Sequence, residues 1–423
     1  MRRLLATTGA AALAAGAFAA PAAAETLTVV EVLTSPPRTE LLQQMLDSFQ
    51  EQHPDVEIEL ISVPWDTAFE KVLTMTQSGQ EIDVLEMPER WISTLDATDS
   101  LVDLGPYIED WDGADQMTEA TLGYTRIFDD TPYFMPYGYF VRALYYNKAL
   151  LAEAGIDAPP ETLQEFVDQS RQVTEELDGK FGYCLRGARG GFVGWWLFVS
   201  GMTGSTTWWD EEGNSIFDTP EGTEGLKMLI DLYQDGYAPP DSVNWAFNEQ
   251  VAGFYSRTCA FLDQDPDALI QIAERMGDDE FAVAPVPLGP EGTIAPPVGI
   301  IGWSVGTSSS EPDLAWDLVA HLSQPENNIE WAKFIGVIPA VKGAEDDPFY
   351  SGDNYAGFFT ELNDDRWQLR PWPAHLPELG QFFDVLSVET GQAALLGEMT
   401  AEELAETWDE FLTEAQQNWM AEQ

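Results

Sequence analysis

An α/β fold in two domains is predicted by three features of the 423-residue sequence. Strand and helix patterns alternate from residue 26 onward, in the βαβαβ order of a parallel sheet covered on both faces. A strand, a turn and two capped helices follow one another at 143–173. The length, roughly 400 residues without the N-terminal leader, exceeds what one hydrophobic core usually serves.

Residues 26–32 alternate polar and β-branched side chains and read as a strand. Residues 39–53 carry Leu41, Leu42, Met45, Leu46 and Phe49 on one helical face. A second strand is expected at 56–63, a helix at 69–78, and a buried apolar strand at 82–87. The aromatic run at 143–146 has strand character, and 148–154 is rich in helix formers stopped by Gly155. After Pro159 and Pro160, Thr162 and Glu165 form a capping box ahead of Phe166 and Val173. Thr400 and Glu403 form another, opening a closing helix whose apolar stripe is Leu404, Trp408, Phe411, Leu412, Ala415 and Trp419.

Arg2 and Arg3, the apolar run 4–20 and the small residues Ala22, Ala23 and Ala24 read as a secretory signal cleaved after Ala24. The run is alanine-rich and too short for a bilayer span, which argues against a membrane anchor. No cysteine follows the leader, so a lipid anchor is excluded, and a soluble periplasmic protein is expected. Acidic residues number 73 against 19 basic, a formal charge of −54 that becomes about −56 without the leader. Nucleic acid and anionic lipid are poor partners for such a surface, and a saline setting suits it. Cys184 and Cys259 lie in an oxidising compartment, and the residues leave open whether they form a disulfide or stay two buried thiols.

The segment LYYNKALLAEAGIDAPPET at 144–162 strongly resembles a segment of extracellular solute-binding protein family 1, the carbohydrate receptors of bacterial ABC importers. The resemblance continues in order through EQHPDVEIELISVPWD, the element at 79–84, FNEQVAGFYSRTCAFLDQD, FAVAPVPLGPEG and PVGIIGWSVGTSSSEPDLAWDLVAHLSQPE, and spans residues 25–423. It implies a periplasmic-binding-protein-like fold: two lobes, each a mixed or parallel sheet flanked by helices, hinged around a central cleft. Each lobe is discontinuous, 25–137 with 298–345 and 138–297 with 346–423, with crossings near 135–140, 296–302 and 342–350. The implied partners are a small carbohydrate and an inner-membrane permease, bound by a monomer that needs no cofactor or metal.

Sugars and polyols are held by aromatic rings against their C–H faces and by polar groups on their hydroxyls. The resemblance places Gly302 and Trp303 of GIIGW, Glu89 and Trp91 of MPERW, and Trp65 of the Pro-Trp loop at the cleft. Asp263 and Asp265 end the CAFLDQD strand of the second lobe, although solvation alone would explain either in so acidic a chain. Trp195 follows a glycine-rich loop, and Trp372 stands beside Arg370 in RPWP. Many oligosaccharide receptors have an acidic residue before the YYN strand; here PYGYFVRALYYN offers Tyr139 and Arg142 instead. With Arg186 in FGYCLRG, that departure favours monosaccharide and sugar-alcohol receptors over maltose-type ones. Arg142, Arg186 and Arg370 would also suit an acidic sugar or organic acid. A secreted glycoside hydrolase is the rival class, but no acid pair is marked as catalytic, and GxSxG, phosphate-loop and HExxH signatures are absent.

Overall fold

The computed structural model describes residues 25–128, 130–277 and 279–422; the leader expected at 1–24 lies outside them. Their strands are β1 (Glu25–Glu31), β2 (Val56–Ser62), β3 (Val84–Pro88), β4 (Met135–Val141), β5 (Ala143–Asn147), β6 (Phe181–Tyr183), β7 (Cys259–Gln264), β8 (Phe281–Ala284), β9 (Pro297–Val305), β10 (Ile338–Pro339) and β11 (Arg370–Pro371). They build two sheets. The larger runs β10-β4-β9-β3-β1-β2 with β11 added beside β9, and the smaller runs β6-β7-β5-β8.

The expected βαβαβ start is present: β1 lies parallel to both β2 and β3. The helix Pro36–Gln52 between β1 and β2 begins at Ser35, whose side chain accepts from the Arg38 amide, and buries Leu42, Met45, Leu46 and Phe49. The next helix starts four residues earlier than its apolar pattern suggested, at Trp65 directly after Pro64. Both capping boxes form. The Glu165 and Thr162 amides each find the other's side chain at 3.2 Å, and the Thr400–Glu403 pair does the same at 2.9 and 3.2 Å.

β9 runs antiparallel to both β3 and β4, so the larger sheet is mixed. Gly302 sits in that seam, where a Cβ would come within 2.2 Å of the Met135 carbonyl oxygen. All of β4 belongs to the larger sheet, so the chain leaves it at Arg142, between β4 and β5, just after the 135–140 expected for the first crossing. It returns between β8 and β9. After β10 the helix Ala356–Asn363 packs on β8, and β11 then comes back to pair with Pro297 and Val298. That last return was not anticipated, because two residues are too few to carry a strand pattern. Helix Ala401–Glu422 lies against helix Pro220–Gln234 on the smaller sheet's side.

Cys184 and Cys259 are bonded. The bridge ties the end of β6 to the start of β7, two parallel neighbours.

Candidate functional site

Two groups of predicted residues are brought together, one from each sheet. On the larger sheet's side, β3 ends at Pro88 and the chain turns through a short 3₁₀ segment, Glu89–Trp91. Trp91 is buried and packs flat beneath Trp65, with ring centroids 5.9 Å apart and 15° between planes. Phe69 supports Trp91 from one helical turn further on, at 5.4 Å. Trp65 is therefore an outward-facing ring, 38% exposed, on a rigid aromatic base. Two residues before Trp91, Glu89 is buried; its Oε2 accepts from the Ile300 amide at 3.0 Å, while its Oε1 has no partner among the described residues. Burial raises the Glu89 pKa against the pull of Arg90. Arg90 itself is exposed, and its guanidinium lies 4.7 Å over the Trp65 ring.

On the smaller sheet's side, Arg142 occupies the passage between β4 and β5. It donates from Nε to Asp263 Oδ2 at 3.0 Å, and from Nη1 to Gln264 Oε1 at 2.9 Å and Asp265 Oδ2 at 3.2 Å. Burial alone would lower the Arg142 pKa, but the charges of Asp265 and Asp263 raise it overall. Burial also lifts Asp265, outweighing Arg142. The Tyr183 hydroxyl donates to Asp263 Oδ1 at 2.5 Å, and Gln250 joins Gln264 to the Cys184 carbonyl through bonds of 3.0 and 2.8 Å. The disulfide thus braces the backbone two residues before Arg186. That arginine is partly buried, donates Nε to the Arg189 carbonyl at 2.8 Å, and has its pKa lowered to about 10 by burial and by Arg142.

Arg189 connects the two groups. Its guanidinium holds Asp384 through bonds of 2.7 and 2.9 Å, and Arg90 lies within electrostatic reach of both. A second approach of the two sides occurs at Asp267, whose Cα is 3.0 Å from where a Gly336 Cβ would stand. Burial, with Asp265 adding to it, lifts Asp267 to about 7, and its buried Oδ1 has no partner among the described residues.

Four predicted contacts belong to the core instead. Trp303, opposite Glu86 in the β3–β9 register, is 1% exposed and packs between Tyr137 and Trp331. Gly302 admits the neighbouring strand. Tyr139 is buried with its hydroxyl bonded to Thr121. Trp195 lies in helix Phe192–Thr203, buried against Trp408 and Gly391. These rings cover apolar helix layers, and that demand outweighs any at a strand end. Trp372 is half-buried among Phe192, Trp208 and Phe383, while Arg370 is exposed with its Nη1 on the Leu369 carbonyl.

Sequence reasoning passed over Arg90, Arg189, Asp267 and Asp384. Arg90 was legible, standing between two chosen residues of MPERW; the Arg189–Asp384 pair, 195 residues apart, was not. Among the described residues no cluster of His, Cys, Asp or Glu could hold a metal ion, and no helix is long and apolar enough to cross a membrane.

A profile of the family described as bacterial extracellular solute-binding protein matches residues 35–329. A Brucella abortus protein named simply as a binding protein is 24% identical over 329 residues, 77% of this chain and 79% of that one. The arabinooligosaccharide-binding protein of Halalkalibacterium halodurans is 26% identical over 352 residues, 76% of this chain and 73% of its own. The mannitol-binding protein of Pseudomonas aeruginosa is 26% identical over 272 residues, 59% and 57% respectively. In structure the chain is similar to the sugar-binding protein MalE of Xanthomonas citri, at 21% identity and TM-score 0.79 over 94% of this chain and 99% of that one. Maltose-bound MalE3 of T. maritima gives 24%, 0.76, 92% and 99%.

Proposed function

The chain belongs to the bacterial extracellular solute-binding protein family, and from that premise we propose that it is the periplasmic receptor of an ABC importer for a small carbohydrate. The ligand class is a monosaccharide, sugar alcohol or short oligosaccharide. Relatives named for arabinooligosaccharide and mannitol binding support carbohydrate as the cargo.

The observation that carries the reading is the exposed Trp65 ring on its Trp91 base, together with Glu89, two residues before Trp91, whose buried Oε1 has no partner among the described residues. A sugar offers what both lack: a C–H face for the ring and a hydroxyl for the carboxyl. Asp265, Arg186 and Arg370 are the remaining polar candidates of the sequence reading that stay at least partly open. Two lobes built on the two sheets close on the ligand about the passage at Arg142, and the closed form is what a membrane permease recognises. Only a ligand that binds the closed form better than the open one can drive that closure.

The test is calorimetric titration of the mature protein in high salt with hexoses, pentoses, polyols and disaccharides, alongside small-angle scattering. Saturable binding with compaction and no product is expected. Consumption of a glycoside, or binding without compaction, would overturn the receptor mechanism.

A further inference from the structure

The larger sheet's side of the molecule carries a second concavity. Helices Gly105–Asp110 and Pro312–Leu322 and the 3₁₀ segment Asp112–Gln116 border an open groove of about 660 Å³, lined by Tyr107, Trp111 and Trp316. Trp316 belongs to the apolar layer that holds Val84, Trp303 and Val305, whereas Trp91 belongs to the layer of Leu85, Met87 and Ile300. Those are alternating residues of β3 and β9, whose side chains point to opposite faces, so the groove and the Trp65 site lie across the sheet from each other. Tyr107 stacks on Trp316 at 5.6 Å and 29°, and its hydroxyl donates to Asp313 at 2.8 Å. Trp111 meets Trp316 at 5.9 Å and 89°, so the two indoles form a right-angled corner. Gly113 keeps that corner: a Cβ there would come within 2.2 Å of the Trp111 ring.

The polar lining is mixed. Asp110, Asp112 and Asp317 offer acceptors, Gln116 and Gln324 offer both donor and acceptor, and no lysine or arginine lines the groove among the described residues. Trp316 is 6% exposed, and neither its indole N–H nor that of Trp111 bonds an acceptor among the described residues. Carboxylates alone would mean little in a chain with 73 acids; here they share one concavity with three rings and two idle indole donors. An anion is repelled from such a lining. An apolar ligand would cover three carboxylates without partners. An organic cation would use the rings and the carboxylates but leave the indole and amide N–H groups idle. A neutral polyhydroxylated ligand uses all of them, its C–H faces on the rings and its hydroxyls as both donors and acceptors.

We propose that the groove is a second carbohydrate site, which takes a neutral oligosaccharide against Tyr107, Trp111 and Trp316 and is separate from the cleft. The apolar layer under it draws on the larger sheet and its helices and on no strand of the smaller sheet. Occupancy therefore favours neither the open nor the closed arrangement of the lobes and drives no closure. Its effect is to keep sugar chains close to the cleft at a raised local concentration.

The experiment is fluorine NMR of the mature protein grown on fluorotryptophan, with the Trp111 signal assigned by its loss in Trp111→Phe, during titration with tetrasaccharides of glucose, xylose and arabinose. At least one of them should move that signal saturably, with a Kd of about 0.1–1 mM for an open site of few contacts. Gly113→Ala, which displaces the ring, and Asp112→Asn, which removes a charge-assisted acceptor on an exposed residue, should each weaken the response at least about threefold. Gly113→Ala should leave any sugar-driven compaction seen by small-angle scattering as it is in the parent protein. A Trp111 signal unmoved by all three sugars up to about 10 mM, a response that neither variant weakens, or a response to tetramethylammonium in place of the sugars would overturn the second site. A Trp111 response with no compaction on any sugar would support the groove and count against the receptor reading; compaction with a silent Trp111 would do the reverse.

Discussion

Arg142 Nε meets Asp263 Oδ2 at 3.0 Å, and the two side chains are only 3% and 6% exposed. The pair sits where the chain passes from the larger sheet to the smaller, and Asp265, Gln264 and Tyr183 complete its bonding. Removing one partner of a buried, fully bonded pair strands the other charge. Arg142→Leu should therefore lower unfolding stability by about 3–5 kcal/mol, read from urea titrations at fixed salt. A loss below about 1 kcal/mol would mean that water reaches the site and the pair is replaceable.

The Cys184–Cys259 bond closes a loop of 75 residues. On the chain-entropy argument such a loop contributes about 4.5 kcal/mol, and native bonds of this kind measure about 2–5. A Cys184→Ala, Cys259→Ala double variant should fall in that range by denaturant titration. If affinity for the selected sugar falls too, the bracing of Cys184 by Gln250 carries through to Arg186.

Trp65 lends itself to a cleaner separation of binding from folding, because more than a third of it is exposed and the Trp91 ring beneath it packs on Phe69 without it. Trp65→Ala should weaken the sugar selected by the titration panel about tenfold, a stacking contribution near 1.5 kcal/mol, and shift the melting midpoint little. Unchanged affinity would remove the ring from the site.

Local patterns carried the fold further than they carried the site. The capping boxes at Thr162 and Thr400 and the helical face of Leu42, Met45, Leu46 and Phe49 are each settled by residues a few positions apart, and they appear where expected. Trp65, Glu89 and Trp91 come together because one strand end and one helix start supply them. Trp303, Tyr139 and Trp195 misled because an aromatic at a strand or helix end looks the same in sequence whether it faces a ligand or a helix layer. The direction of the ring is set by partners far along the chain: Trp331, Thr121 and Trp408. The pairing of Arg189 with Asp384 depends on the same long-range packing.

At a formal charge of −54, self-repulsion opposes the compact state. Raising NaCl from about 0.1 to 1 M shortens the Debye length from about 10 to 3 Å, so the melting temperature should rise across that range. Matched steps of a neutral osmolyte separate screening from solute exclusion. A flat or falling response to salt would mean that the acids are already neutralised by neighbours.

Glu361 gives a pH dependence whose sign follows from its surroundings. It is 2% exposed in helix Ala356–Asn363; Oε1 accepts from the Val286 amide at 2.6 Å, and the buried Oε2 has no partner among the described residues. Burial holds its pKa well above the usual carboxylate range, against the pull of that one amide. Below the unfolded-state value of about 4.3, both states are protonated and folding carries no ionisation cost. Above it the unfolded chain releases the proton while the folded one keeps it, so this residue's contribution falls by about 1.4 kcal/mol per pH unit until the folded value is reached. Glutamine has nearly the shape of the protonated acid, keeps an acceptor for Val286 and cannot ionise. Glu361→Gln should therefore match the parent protein near pH 4 and exceed it by about 1–3 kcal/mol at pH 7. A stability difference that stays constant between those pH values would show that Glu361 ionises alike in both states.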